Sequence, residues 1–132
     1  MKNSTYKKIY LTGSILISIW FGLSGFFELT RNPTVWDVTR KLGYPEHFIY
    51  ILGVFKILGV ILLLIPNRFN RLKEWVFAGM LFDIVFAFFS KIAVLGLSSV
   101  TDTLIAFVIL AVTYYSFNRI HHIIFTAKDL DR

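Results

Sequence analysis

The chain has 132 residues, of which 56% are hydrophobic and only 17% charged, with a net charge of +6 and no cysteine. A soluble domain carries about a quarter charged residues and lacks long uncharged apolar runs, so this balance excludes an ordinary soluble enzyme and favours one small membrane-embedded helical domain. The missing cysteines exclude a disulfide, a thiolate zinc site, a cysteine-bound cluster and a dithiol redox pair. Any redox role therefore needs a borrowed cofactor.

A polar start with Lys2, Lys7 and Lys8 precedes an apolar run over residues 9–27. A basic start and an apolar run also describe a signal peptide, and Gly22 and Ser24 form a small-x-small pattern. The run is longer than a signal core, however, and Trp20, Phe21, Phe26 and Phe27 crowd that position, so the stretch is read as a first spanning helix. Glu28 closes it. Residues 29–46 are mixed and polar, with turn signals at Asn32-Pro33 and Gly43-Tyr44-Pro45. Between them Val35, Trp36, Val38 and Leu42 fit either a short amphipathic helix at the interface or a plain connecting loop.

A second helix is predicted over residues 47–65, stopped by Pro66-Asn67. A basic connection with Arg68, Arg71 and Lys73 leads to a third helix over 74–95, and a tight turn over 96–99 to a fourth over 100–117. The tail holds Arg119, His121, His122, Lys128 and Arg132. The fold expected is all-α, a membrane-embedded up-down four-helix bundle spanning residues 1–132 as one domain. Lys2, Lys7, Lys8, Arg68, Arg71, Lys73, Arg119, Lys128 and Arg132 then fall on the side of the termini, against Arg31, Arg40 and Lys41 on the other. Basic flanks stay inside, so both termini are expected in the cytoplasm. Because the basic residues lie between apolar spans and not along one face, nucleic acid is set aside as a partner.

Two charges interrupt the apolar spans. Lys56 lies mid-way along the second helix and Asp83 mid-way along the third, each ~13–14 Å from its own surface at ~1.5 Å per residue. In a ~30 Å core both are near the midplane, where an unpaired charge costs about 2.5–3.5 kcal/mol or more. Adjacent antiparallel helices let them pair. Such a pair is either a structural clamp that sets helix register or a proton- or ligand-binding site. Gly53 and Gly59 flank Lys56, and Gly79 and Ala87 flank Asp83, on faces suited to close packing; Gly22 and Gly25 offer the same in the first helix.

Near the outer surface Glu28, Lys91 and Asp102 form a second charged set, with Lys91 able to snorkel to either carboxylate. That set is either a substrate mouth or an interfacial salt-bridge group. His121 and His122 are adjacent and do not share a helix face, so no metal site is expected. No catalytic residue is assigned, since no triad, phosphate loop or paired-carboxylate arrangement is present.

The strings WFGLSGFFEL (residues 20–29) with Asn32-Pro33, LGYP (42–45), LGVFKILGVILLLIP (52–66) and RLKEWVFAGMLFD (71–83) together resemble the DoxX-like family of small bacterial integral membrane proteins. The resemblance implies four transmembrane helices in the bacterial cell (inner) membrane. Better-studied relatives in the wider DoxX group are tied to quinone-linked oxidation, including a subunit of a thiosulfate:quinone oxidoreductase. Carried over by position, Glu28, Lys56, Lys73, Glu74, Trp75 and Asp83 match the family's pattern.

The function expected from both lines is an accessory subunit, or a binding protein for a quinone or another amphipathic molecule arriving from the bilayer. Lys56, Asp83, Glu28 and Trp75 are the ligand-binding candidates, with Lys56 donating to a carbonyl and Asp83 orienting it or exchanging a proton. Trp75, Phe82 and Phe86 would form an aromatic wall, and Gly53, Gly59, Gly79, Lys73 and Glu74 would be structural. The competing readings are a ligand-free assembly or stability factor and a small proton-coupled transporter. Small multidrug exporters are similar in size, but Lys56 already offsets Asp83 here and weakens the case for a cation site. A membrane or redox protein partner and a homo-oligomer are both left open.

Overall fold

A computed structural model describes residues 2–65 and 70–130; the Pro66-Asn67 break, Arg68 and Arg132 lie outside it. The order is α1 (Lys2–Leu29), α2 (Pro33–Lys41), α3 (Glu46–Leu64), α4 (Asn70–Leu95), a 3₁₀ turn (Leu97–Ser99) and α5 (Thr101–Leu130). The described residues contain no strand. Among the described residues, four segments are long and apolar enough to cross a membrane: Asn3–Leu29, Glu46–Leu64, Asn70–Leu95 and Thr101–His122.

α1 starts well before residue 9, and α5 continues through the tail to Leu130. The hydropathy pattern marks where the chain enters hydrocarbon, whereas the helix ends only where a breaker or cap stops it. No Pro or Gly interrupts either extension.

Of the two readings for residues 33–41, the structure takes the helix. Pro33 opens α2 with its φ already set for a first helical turn, and the Asn32 side chain accepts from the Thr34 N–H at 3.1 Å. Gly43 (φ +95°) and Gly96 (φ +90°) supply the left-handed turns that end α2 and α4.

α1 packs against α3 and α5, and α4 closes the ring against the same two helices. At one end the Lys73 ammonium donates to the Tyr10 hydroxyl at 3.3 Å, and Tyr10 packs on Phe117. At the other end Tyr44 and Ser90 share a hydroxyl hydrogen bond of 2.8 Å. These contacts join the start of α1 to the start of α4 and the end of α5, so the four long helices alternate in direction. Ile17, Phe21, Leu63, Phe77, Met80 and Leu110 form the buried core. Large side chains such as Phe26, Phe89 and Phe107 point outward, as suits helices whose surroundings are lipid.

Candidate functional site

The site begins with a close helix crossing. A Cβ added at Gly25 would lie 3.0 Å from the Gly53 carbonyl oxygen and 3.0 Å from Lys56 Cβ, so only glycine lets α1 and α3 approach this far. The approach delivers Lys56 from mid-α3 to the last turn of α1. Its Nζ donates to Glu28 Oε1 at 2.7 Å and to Ser24 Oγ at 3.0 Å, and lies 3.7 Å from Asp83 Oδ2 on α4. Lys56 and Asp83 do meet, but the shorter ion pair is with Glu28.

This changes the place expected for Glu28. It belongs to the Lys56 cluster and not to the outer set, where Lys91 instead pairs with Asp102 at 2.5 Å. The physical reason is that α1 stops short of the outer end. α3 begins beyond it, and α2 folds across the gap, with buried Trp36 donating from Nε1 to the Glu28 carbonyl at 2.8 Å. A residue at a helix end is thereby covered. Glu28 is only 3% exposed, and its Oε2 has no hydrogen-bond partner among the described residues.

Two cavities meet at the cluster. The larger, about 950 Å³, is roofed by α2 and runs from the Lys91–Asp102 pair to Glu28, Lys56 and Asp83. The smaller, about 370 Å³, is a groove between α3 and α4 that contains Lys56, Asp83 and Trp75. Lys56 is 9% exposed at its side chain and Asp83 21%, so Asp83 is the more open of the two. Trp75, 79% exposed, lines the groove, while Phe82 and Phe86 line the larger cavity. The expected single aromatic wall is therefore divided between two spaces, with Trp75 about two helical turns before Phe82 along α4.

The glycines divide as well. Gly53 sits in the tight crossing, 3.1 Å from Glu28 Cβ when given a Cβ, and Gly59 makes only ordinary contact with Val76 at 3.7 Å. Gly79 and Gly22 face open space, with nothing within 4 Å; Gly79 widens both cavities where close packing was expected. Lys73 is held by Tyr10 at the far end of the protein, and Glu74 is exposed beside it; neither reaches the cluster. His121 bonds the Phe117 carbonyl at 2.9 Å, and no group of metal ligands occurs among the described residues. The sequence marks Ser24 only as part of a small-x-small pattern and not as a site residue, although it precedes Glu28 by one turn and so shares its face.

Residues 12–116 match the DoxX-like family. The chain belongs to that family. The matched span takes in all of Ser24, Glu28, Lys56 and Asp83, both cavities and the turn into α5, and stops before the polar end of α5. This DoxX-like chain has no match among curated proteins and none among solved structures. It is a multi-pass membrane protein.

Proposed function

We propose that this DoxX-like protein binds an amphipathic small molecule, whose polar head meets Glu28, Lys56 and Asp83 while its apolar part occupies the α2-roofed cavity. One observation carries the reading: a buried three-residue charge cluster forms the floor of a cavity of about 950 Å³ and retains a free acceptor, Glu28 Oε2. Ionisable groups inside a membrane are expensive to keep and are functional by default. The groove between α3 and α4 gives a lateral way in from the bilayer.

Quinone chemistry, which the family's wider group suggests, can be tested against these residues. A quinone offers only acceptors, and Lys56 Nζ is already held by Ser24, Glu28 and Asp83. The atom left over is itself an acceptor, so the residues suit the hydroxyl-bearing reduced form better than the oxidised one. A quinol bound here would leave its redox chemistry to a partner, which makes the chain an accessory subunit of a quinone-linked membrane complex. We place the protein in a bacterial cell membrane, with the end that holds both termini in the cytoplasm because that end is the more basic.

Mass spectrometry of organic extracts from gently purified protein tests the reading, with wild type beside Glu28→Gln. A quinol or other amphiphile retained by wild type and lost in the variant supports it. The second reading, a ligand-free assembly factor, draws on the short bonds from Lys56 to α1, which clamp α1 to α3 whether or not anything binds. An empty wild-type protein whose cellular function survives Glu28→Met, Lys56→Met and Asp83→Leu together would favour that reading, since apolar groups can replace a buried ionic network.

A further inference from the structure

The cluster contains two carboxylates and one ammonium, Glu28 and Asp83 against Lys56. Among the described residues, the other charged groups lining the larger cavity are Lys91 and Asp102, which neutralise each other at 2.5 Å. The cavity as a whole therefore carries one carboxylate more than its lysines balance, inside a protein whose net charge is +6. A buried excess carboxylate is costly unless a cation or a proton accompanies it. Asp83 has the looser hold on the lysine, at 3.7 Å, and the Oε2 of Glu28, a residue only 3% exposed, is an acceptor with no hydrogen-bond partner among the described residues.

Taking small-molecule binding at this site as given, we infer that the bound head group is a cation with N–H donors, an amphipathic amine. The chemistry separates it from neutral candidates. A hydroxyl satisfies Glu28 Oε2 but leaves the charge uncompensated, and a carbonyl satisfies neither. An ammonium supplies both the missing positive charge and the missing donors, and charge-assisted bonds to carboxylates are the stronger kind. Aromatic side chains complete such a site: Phe21, Tyr44, Phe48, Phe82 and Phe86 line the cavity, and their ring faces attract cations. The ring of Phe21 already lies 5.9 Å from the Lys56 ammonium. The surrounding wall is apolar enough to hold an alkyl chain, so the amine is a single-tailed or hydrophobic one and not a small hydrophilic ion.

The test is isothermal titration of the purified protein in neutral detergent, with octylamine, 1-octanol and a short-chain ubiquinol as probes and protein-free micelles subtracted. Octylamine is expected to bind at least about tenfold more tightly than 1-octanol, the margin of one charge-assisted contact. Glu28→Gln and Asp83→Asn should each weaken octylamine binding far more than 1-octanol binding and so erase most of that preference. Both are near-isosteric, and either one suffices as a readout should the other fold poorly. If octanol or the ubiquinol binds as tightly as octylamine, the amine assignment is overturned while small-molecule binding stands. If none of the three binds, both readings fall.

Discussion

The α1–α3 crossing gives a sharp stability prediction because two glycines of one helix, three residues apart, sit in opposite surroundings. At Gly25 a methyl group would lie 3.0 Å from the Gly53 carbonyl oxygen, 3.0 Å from Lys56 Cβ and 3.3 Å from Ile57 Cδ1. Two of those neighbours are backbone or backbone-attached and cannot swing aside. Comfortable carbon contacts are about 3.5–4.0 Å, so the helices must part by roughly half an ångström. Overpacking of that kind costs about 1–3 kcal/mol. The alanine recovers about 0.5–1 kcal/mol of helix preference, leaving Gly25→Ala about 1–2 kcal/mol less stable. At Gly22 nothing lies within 4 Å, so Gly22→Ala keeps only the gain. The two variants should then differ by about 2 kcal/mol in opposite directions, measured as reversible unfolding in mixed micelles titrated with dodecyl sulfate and followed by far-ultraviolet circular dichroism. Equal stabilities for the two would refute the close crossing, and with it the reason Lys56 reaches Glu28.

Three further outcomes follow from the same geometry. Lys56→Met alone leaves two buried carboxylates without their cation and should destabilise the fold by about 3–5 kcal/mol, whereas adding Glu28→Met and Asp83→Leu should recover most of the loss in the same titration. Trp36→Phe removes the 2.8 Å bond to the Glu28 carbonyl, at a cost of about 1 kcal/mol; amide exchange should quicken in α2 and stay unchanged in α4, and uniform exchange in both would count against α2 as the roof. Because the chain has no cysteine, single introduced thiols report orientation directly. In spheroplasts an impermeant maleimide should label Ser98→Cys at once and Ser4→Cys only after permeabilisation, and the reverse pattern would invert the membrane orientation.

The sequence made the four spans and both mid-span charges legible, since a run of apolar residues interrupted by a single Lys or Asp is conspicuous at any register. Glu28 was harder. Along its own helix it stands at the end, yet depth in a packed protein depends on what the neighbouring helices and the connection do. α2 covers Glu28 only because Trp36 folds back onto it, and the amphipathic pattern of residues 33–41 does not reveal which way that face turns. The glycines show the same limit. Gly53 and Gly79 look alike beside a buried charge, but one lies in a helix crossing and the other on a cavity wall. Small residues signal close approach only when a partner backbone is present, and the partner is not written locally.

The uneven hold on Lys56 ties the fold to the proposed binding. Towards α1 the ammonium makes contacts of 2.7 and 3.0 Å across a crossing that admits no side chain. Towards α4 it is 3.7 Å from Asp83, beside a glycine with empty space in front of it and a groove of about 370 Å³. A structural clamp alone would gain from tight packing on both sides, because each unfilled volume forfeits dispersion contacts. Here the cluster is rigid on the α1–α3 side and open on the α4 side, where the more exposed carboxylate faces both cavities. That asymmetry suits a site in which α1 and α3 fix the charges in advance and α4 supplies the space for a guest. Under the proposed binding, Asp83 would be the residue a ligand meets first and Glu28 the one that holds it.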